Sequence, residues 1–145
     1  REVGRIAKAD GLGWDASRQV VVDTLPAHRV LRLALVEGGP ELQHKLMQRL
    51  HAAHFAEGAN VADPMVLAGI AAEAGLARDR VEIALASGEQ AAEVQQGIAA
   101  AMQIGVHAVP TFVFNGRYAV QGAQSVETFQ DVLRRVAAAP PPPAG

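Results

Sequence analysis

Three histidines fall along one stretch of the chain: His44, His51 and His54, at i, i+7 and i+10, with Glu57 three residues beyond the last. On a helix these positions share a face, and two imidazoles a turn apart can bind zinc. The stretch lacks His-Glu-x-x-His spacing, and no second ligand pair occurs elsewhere, so no metal site is expected. His54 and Phe55 read as packing residues and His51 as a solvated one. His28 and Arg29 open an earlier helical stretch. They admit two readings, a pair facing a cleft or a pair that fixes the helix start. The second is preferred, because burial and catalysis perturb such groups alike. His107 stands two residues before Val109, where an imidazole could tune a neighbouring thiolate; simple loop exposure is the preferred reading. The 145 residues contain no cysteine, which removes disulfides, thiolate metal sites and cysteine nucleophiles from this chain. The glycines of "NGRYAVQG" are turn glycines, since no strand, Gly-rich loop and Lys-Ser/Thr context surrounds them. Hence no catalytic residue, metal or cofactor is expected within the chain.

What remains is "GVHAVPTFVF", residues 105–114. The most strand-like run in the chain starts directly after Pro110. Proline has no N–H to give a ladder and is confined to strand starts, edges and bulges. The elements around it must explain why it stands there.

Helix signals dominate residues 24–104. Thr24 is an expected N-cap, with Pro26 tolerated in the first turn. Leu25, Val30, Leu33 and Leu35 follow, and Gly38-Gly39 are expected to stop the helix. A second helix after Pro40 carries Leu42, Leu46, Leu50 and Ala53 at i, i+4, i+8 and i+11, ending at Gly58. Asp63 caps a third, with Pro64 at its first position and Gly75 at its end. Residues 78–86 form a short helix. Ser87 and Gln90 have capping-box spacing, opening an Ala-rich helix that runs to about Gly105. "TFVF-NG-RYAV" then reads as a hairpin around Asn115-Gly116. A two-residue loop would set Phe114 opposite Arg117 and Phe112 opposite Ala119, with Val113 and Tyr118 on the other face. Both faces are apolar, which predicts cover on both sides. Ser125 caps a last helix bearing Val126, Phe129, Val132, Leu133 and Val136. Two strands alone are marginal in water. "QVVV" (19–22) is the sole further strand candidate, so the missing strands are expected upstream of Arg1, with helical cover or a second chain as alternatives.

Composition narrows the classes. Half of the residues are apolar and 19% are charged, enough for a packed core. A net charge of −2 offers no basic field for nucleic acid. No apolar run approaches a membrane span, and no signal-peptide pattern opens the chain. "REVGRIAKADGLGW" reads as a helix entered midway, so the chain is expected to be a fragment of a longer protein. "AAAPPPPAG" is a Pro-rich tail.

Three separated motifs carry a resemblance: "DTLPAHRVLRLA" (23–34), "HFAEGANVADPMVLAGIAAEAGL" (54–76) and "GVHAVPTFVFNGRYAVQGAQ" (105–124). In this order they resemble the C-terminal part of the DsbA family of thioredoxin-fold proteins, its FrnE-like branch most closely, over nearly all of residues 1–137. The resemblance implies an α/β, thioredoxin-like fold. The chain would hold only its C-terminal β-hairpin and helix, together with a large all-α insertion. The implied segments are 1–23, the end of a preceding helix and a connection; 24–104, the helical insertion; 105–138, the C-terminal part of the thioredoxin-like domain; and 139–145, the tail. It implies a cis bond at Val109-Pro110, which starts the strand and turns the backbone of a substrate-binding loop, Ala108, Val109 and Pro110, toward an extended peptide. It implies thiol–disulfide oxidoreductase chemistry on peptide or protein thiol and disulfide substrates, in the cytoplasm. The family's Cys-x-x-Cys would lie outside this chain. Two alternatives stay open. One is a non-catalytic peptide-binding scaffold, completed by exchange of elements in a homodimer. The other is an enzyme like the glutathione-dependent 2-hydroxychromene-2-carboxylate isomerases, in which a serine replaces the cysteine.

Overall fold

A computed structural model describes residues 2–14, 17 and 21–139. Among these residues six α-helices and one hairpin follow in order: α1 (Glu2–Ala9), α2 (Leu25–His51), α3 (Pro64–Ala74), α4 (Arg78–Ser87), α5 (Ala91–Gln103), β1 (Thr111–Phe114), β2 (Tyr118–Gln121) and α6 (Val126–Ala138). A π-helical segment, Ala52–Ala56, extends α2. Among the described residues no helix is long and apolar enough to cross a membrane. The chain divides into two compact units, Arg1–Gly97 and Ile98–Gly145, the division falling inside α5.

In the first unit, α2, α3 and α4 pack around Val30, Leu33, Leu46, Leu67 and Val81, all essentially without solvent exposure. The expected break at Gly38-Gly39 stands: α2 consists of two helices joined across a kink. Gly39 takes φ 73°, ψ −171°, a conformation that disfavours any side chain, and Pro40 restarts the helix. A Cβ on Gly38 would collide with the Leu42 side chain. The two halves of α2 thus bring Val30 and Leu33, then Leu46 and Leu50, to the same core. At the start of α2 the cap differs from expectation. Thr24 makes no side-chain cap bond; Asp23 Oδ1 instead accepts from Leu25 N at 2.9 Å. The α3 signals hold in full. Asp63 Oδ1 accepts from Met65 N at 2.8 Å and Val66 N at 3.3 Å, and Gly75 closes the helix with φ 111°.

The Ser87–Gln90 capping box is overturned. Ser87 is the last residue of α4, where its hydroxyl donates to Ala84 O at 3.2 Å, and Gln90 sits at φ 63° before α5 begins. The turn around Gly88 is held from outside by an arginine fork. Arg29 donates to Ala84 O (2.7 Å), Leu85 O (3.2 Å) and Glu89 O (2.9 Å). These carbonyls lie at and beyond the end of α4, where intrahelical donors run out. Arg80 binds both carboxylate oxygens of Glu89, at 2.9 and 2.6 Å, and also bonds Glu37 on α2. The Arg80 hydrogen bonds hold the Glu89 carboxyl below its ordinary range and push the guanidinium higher still. Arg49 likewise joins Glu73 of α3 and Glu57, which raises its own pKa.

In the second unit, β1 and β2 pair antiparallel in the register Thr111↔Gln121, Phe112↔Val120, Val113↔Ala119 and Phe114↔Tyr118. The expected two-residue loop is corrected to three, Asn115–Arg117. Asn115 and Gly116 do take the positive φ values, 51° and 65°, of a primed turn, and Arg117 N donates to Phe114 O at 3.1 Å. Arg117 then stands outside the ladder, which shifts every pair by one residue. Tyr118 consequently joins Phe112, Phe114 and Val120 on one face, leaving Val113 and Ala119 on the other. The first face meets α6: Phe112 and Phe129 pack edge to face, ring centroids 4.8 Å apart at 79°. Val113 and Ala119 are exposed, so within this unit the sheet has cover on one side. Ser125 Oγ caps α6 by accepting from Thr128 N at 3.3 Å. Phe129, Val132 and Val136 face the hairpin side, whereas Val126 and Leu133 remain exposed. Residues 19 and 20 of "QVVV" lie outside the described residues; Val21 and Val22 belong to no strand. Nearly all of the tail, 140–145, is likewise outside them.

Candidate functional site

The Ala108–Pro110 loop is built from the residues on either side of it. The Val109–Pro110 bond is cis, and Val109 is 88% exposed, with Ala108 and Pro110 exposed beside it. Four hydrogen bonds fix the loop's ends. Thr111 Oγ1 donates to Ala108 O at 2.5 Å, Gly122 N to Pro110 O at 2.7 Å, Gln121 Nε2 to Gly105 O at 2.9 Å, and Gln124 Nε2 to Gln121 O at 3.0 Å. An exposed aliphatic side chain therefore sits on backbone that is held rather than loose. Thr111 and Gln121 were not singled out from sequence. A hydroxyl directly after the proline and an amide at the end of β2 are the signals that could have found them.

The ladder also leaves an edge open. Residues 110 and 122 form a hydrogen-bonded pair, so by alternation Phe112–Val120 and Phe114–Tyr118 are pairs of the same kind. Thr111 and Val113 then direct their N–H and C=O groups away from β2. The sheet of the described residues has two strands, so that edge of β1 is unpaired. It is the edge at which the strands expected upstream would join the sheet, and the exposed, anchored loop ahead of it is the part suited to receive an extended backbone. It carries no nucleophile or general base of its own. His107 is exposed two residues before Val109.

The histidines of the first unit gather elsewhere. His28, His51 and His54 line one small apolar cleft of about 150 Å³ with Leu50, Phe55 and Val61. His54 Nδ1 lies 3.3 Å from Ala59 O, and its ring meets Phe55 edge to face at 4.8 Å. His51 is exposed, 5.8 Å from the Phe55 ring. Phe55 also stacks on Trp14 at 5.3 Å, and both line a larger groove of about 470 Å³. His44 is exposed and does not join this cleft. Among the described residues no group of three or more His, Asp or Glu is placed to hold a metal ion. His28 and Arg29 part company: Arg29 turns to the α4 carbonyls, while His28 stays exposed.

No curated protein matches the chain. The family model of the DSBA-like thioredoxin domain matches residues 1–134. That span takes in the helices of the first unit, the Val109–Pro110 loop, the hairpin and most of α6. The chain belongs to the DSBA-like thioredoxin domain family, whose members are of thiol–disulfide oxidoreductase type and act on protein thiols.

Proposed function

We propose that this chain supplies the substrate-binding loop and the helical insertion of a FrnE-like thiol–disulfide oxidoreductase whose redox cysteines lie outside residues 1–145. The observation that carries the reading is the exposed Ala108–Val109–Pro110 loop, anchored at both ends by hydrogen bonds. In this reading a substrate peptide lies extended against Ala108 and Val109, and its backbone pairs with the outward groups there. A cysteine thiolate from outside the chain attacks the substrate disulfide. A mixed disulfide forms, one substrate thiolate leaves, and a second cysteine then breaks the mixed disulfide. The loop's part is to hold the substrate sulfur in line; the chain holds no thiol and performs no exchange alone. The cytoplasm is the proposed compartment, on the FrnE-like resemblance.

The zero cysteine count favours one second reading, a peptide-binding module that uses the same loop without chemistry. Kinetics of the cysteine-bearing protein separate the two. With Val109→Asp, KM for an extended disulfide peptide is expected to rise about tenfold, equivalent to about 1.4 kcal/mol. Turnover of a small dithiol should not change. Unchanged KM for the peptide would remove the loop from substrate binding. Insulin reduction by the 145-residue chain alone is expected to be nil; turnover with contaminants excluded would contradict the assignment.

A further inference from the structure

The chain has two asparagines, Asn60 and Asn115, and the fold treats them differently. Asn60 precedes the branched Val61, and its side-chain Oδ1 accepts from Ala62 N at 3.0 Å. Val61 is buried. Asn115 precedes Gly116, both are exposed, and the Asn115 side chain makes no hydrogen bond among the described residues. A Cβ placed on Gly116 would meet nothing within 4 Å, so no other part of the chain crowds its Cα. The turn is closed by Arg117 N donating to Phe114 O, which leaves Gly116 N free of that bond.

We propose that Asn115 is a site of spontaneous deamidation with the Gly116 backbone nitrogen as nucleophile. The nitrogen loses its proton and attacks Asn115 Cγ. The new N–Cγ bond closes a five-membered succinimide, the Cγ–Nδ2 bond breaks, and ammonia leaves carrying the proton. Water then opens the ring at one of its two carbonyls, giving aspartate or isoaspartate. The net change is amide plus water to carboxylate plus ammonium, with no oxidant or reductant. At Asn60 the side chain of Val61 crowds the same attack, and the bond to Ala62 N holds the amide in place.

The consequence reaches the hairpin that follows the substrate loop. Isoaspartate adds a methylene to the main chain inside a tight turn whose geometry sets the register of β1 against β2. The modification thus loosens one end of a hairpin whose other end begins at Pro110.

Incubation of the whole chain at mildly alkaline pH, followed by peptide mapping with isoaspartyl detection, tests this. Conversion at Asn115 is expected to be faster than at Asn60 by at least about tenfold, a barrier difference of about 1.4 kcal/mol. Isoaspartate should appear among the products. Asn115→Gly keeps a turn that accepts positive φ and should abolish most of the mass gain. Equal or slower conversion at Asn115, or an Asn115→Gly chain that gains mass at the unmodified rate, would overturn the proposal.

Discussion

Arg29 shows how a residue that could have been catalytic is instead structural. A histidine–arginine pair at a helix start is legible in sequence, but its partners are 55 to 60 residues away along the chain. Only the fold brings the end of α4 to the guanidinium. Charged hydrogen bonds to carbonyls are each worth about 1.5–3 kcal/mol. Arg29→Ala is therefore expected to lower unfolding stability by roughly 2 kcal/mol or more. Arg29→Lys keeps the charge but loses the planar fork and should recover only part of that loss. Chemical denaturation of both variants checks the order. Thr111 and Gln121 belong to the same scale. Their side chains are ordinary in sequence, and their importance appears only when Ala108 O and Gly105 O are found beside them.

At the scale of elements, local signals read well where one residue decides the geometry. Asp63, Pro64 and Gly75 delimit α3 as expected, because a cap, a missing N–H and a left-handed glycine each act within a turn. Asp63→Ala should cost about 1 kcal/mol, read as a fall in the denaturation midpoint. Signals failed where two local solutions compete. Ser87 and Gln90 have capping-box spacing, yet Gly88 at φ 76° ends α4 first. Asn-Gly marked the turn, yet one extra residue, Arg117, moved the register and with it the face of Tyr118. The ion pairs give this scale a pH dependence. Glu89 has a folded pKa below its ordinary value because Arg80 holds it, and Glu127 because its own backbone N–H and the Ser125 hydroxyl do. Lowered carboxylate pKa values contribute stability at neutral pH that is lost as pH falls below about 4.3. Stability of the chain should decline through that acid range, and Arg80→Met should flatten the decline. An unaltered pH profile in that variant would show that Glu89 gains nothing from Arg80.

For the whole molecule, the split between legible and illegible follows chain distance. Helices of the first unit could be drawn from apolar spacing, and their buried core is the set Val30, Leu33, Leu46, Leu67 and Val81. Leu33→Ala should cost about 2–5 kcal/mol, since the site is closed on all sides. The second unit was harder, because two short strands depend on neighbours that local pattern does not name. One sheet face meets α6, while Val113 and Ala119 stay exposed beside an unpaired edge. The family match across residues 1–134 makes sense of both units as parts of one thioredoxin-like domain.

The reading stands or falls on whether the Ala108–Val109–Pro110 loop receives an extended peptide. The most direct measurement is a titration of an unstructured thiol-free peptide into isotope-labelled chain, read by amide chemical shifts. Shifts are expected to concentrate at Ala108 and Val109, with Phe112 and Phe114 moving less because their amides face β2. Shifts confined to the clefts around Phe55, or none at the loop at saturating peptide, would contradict it.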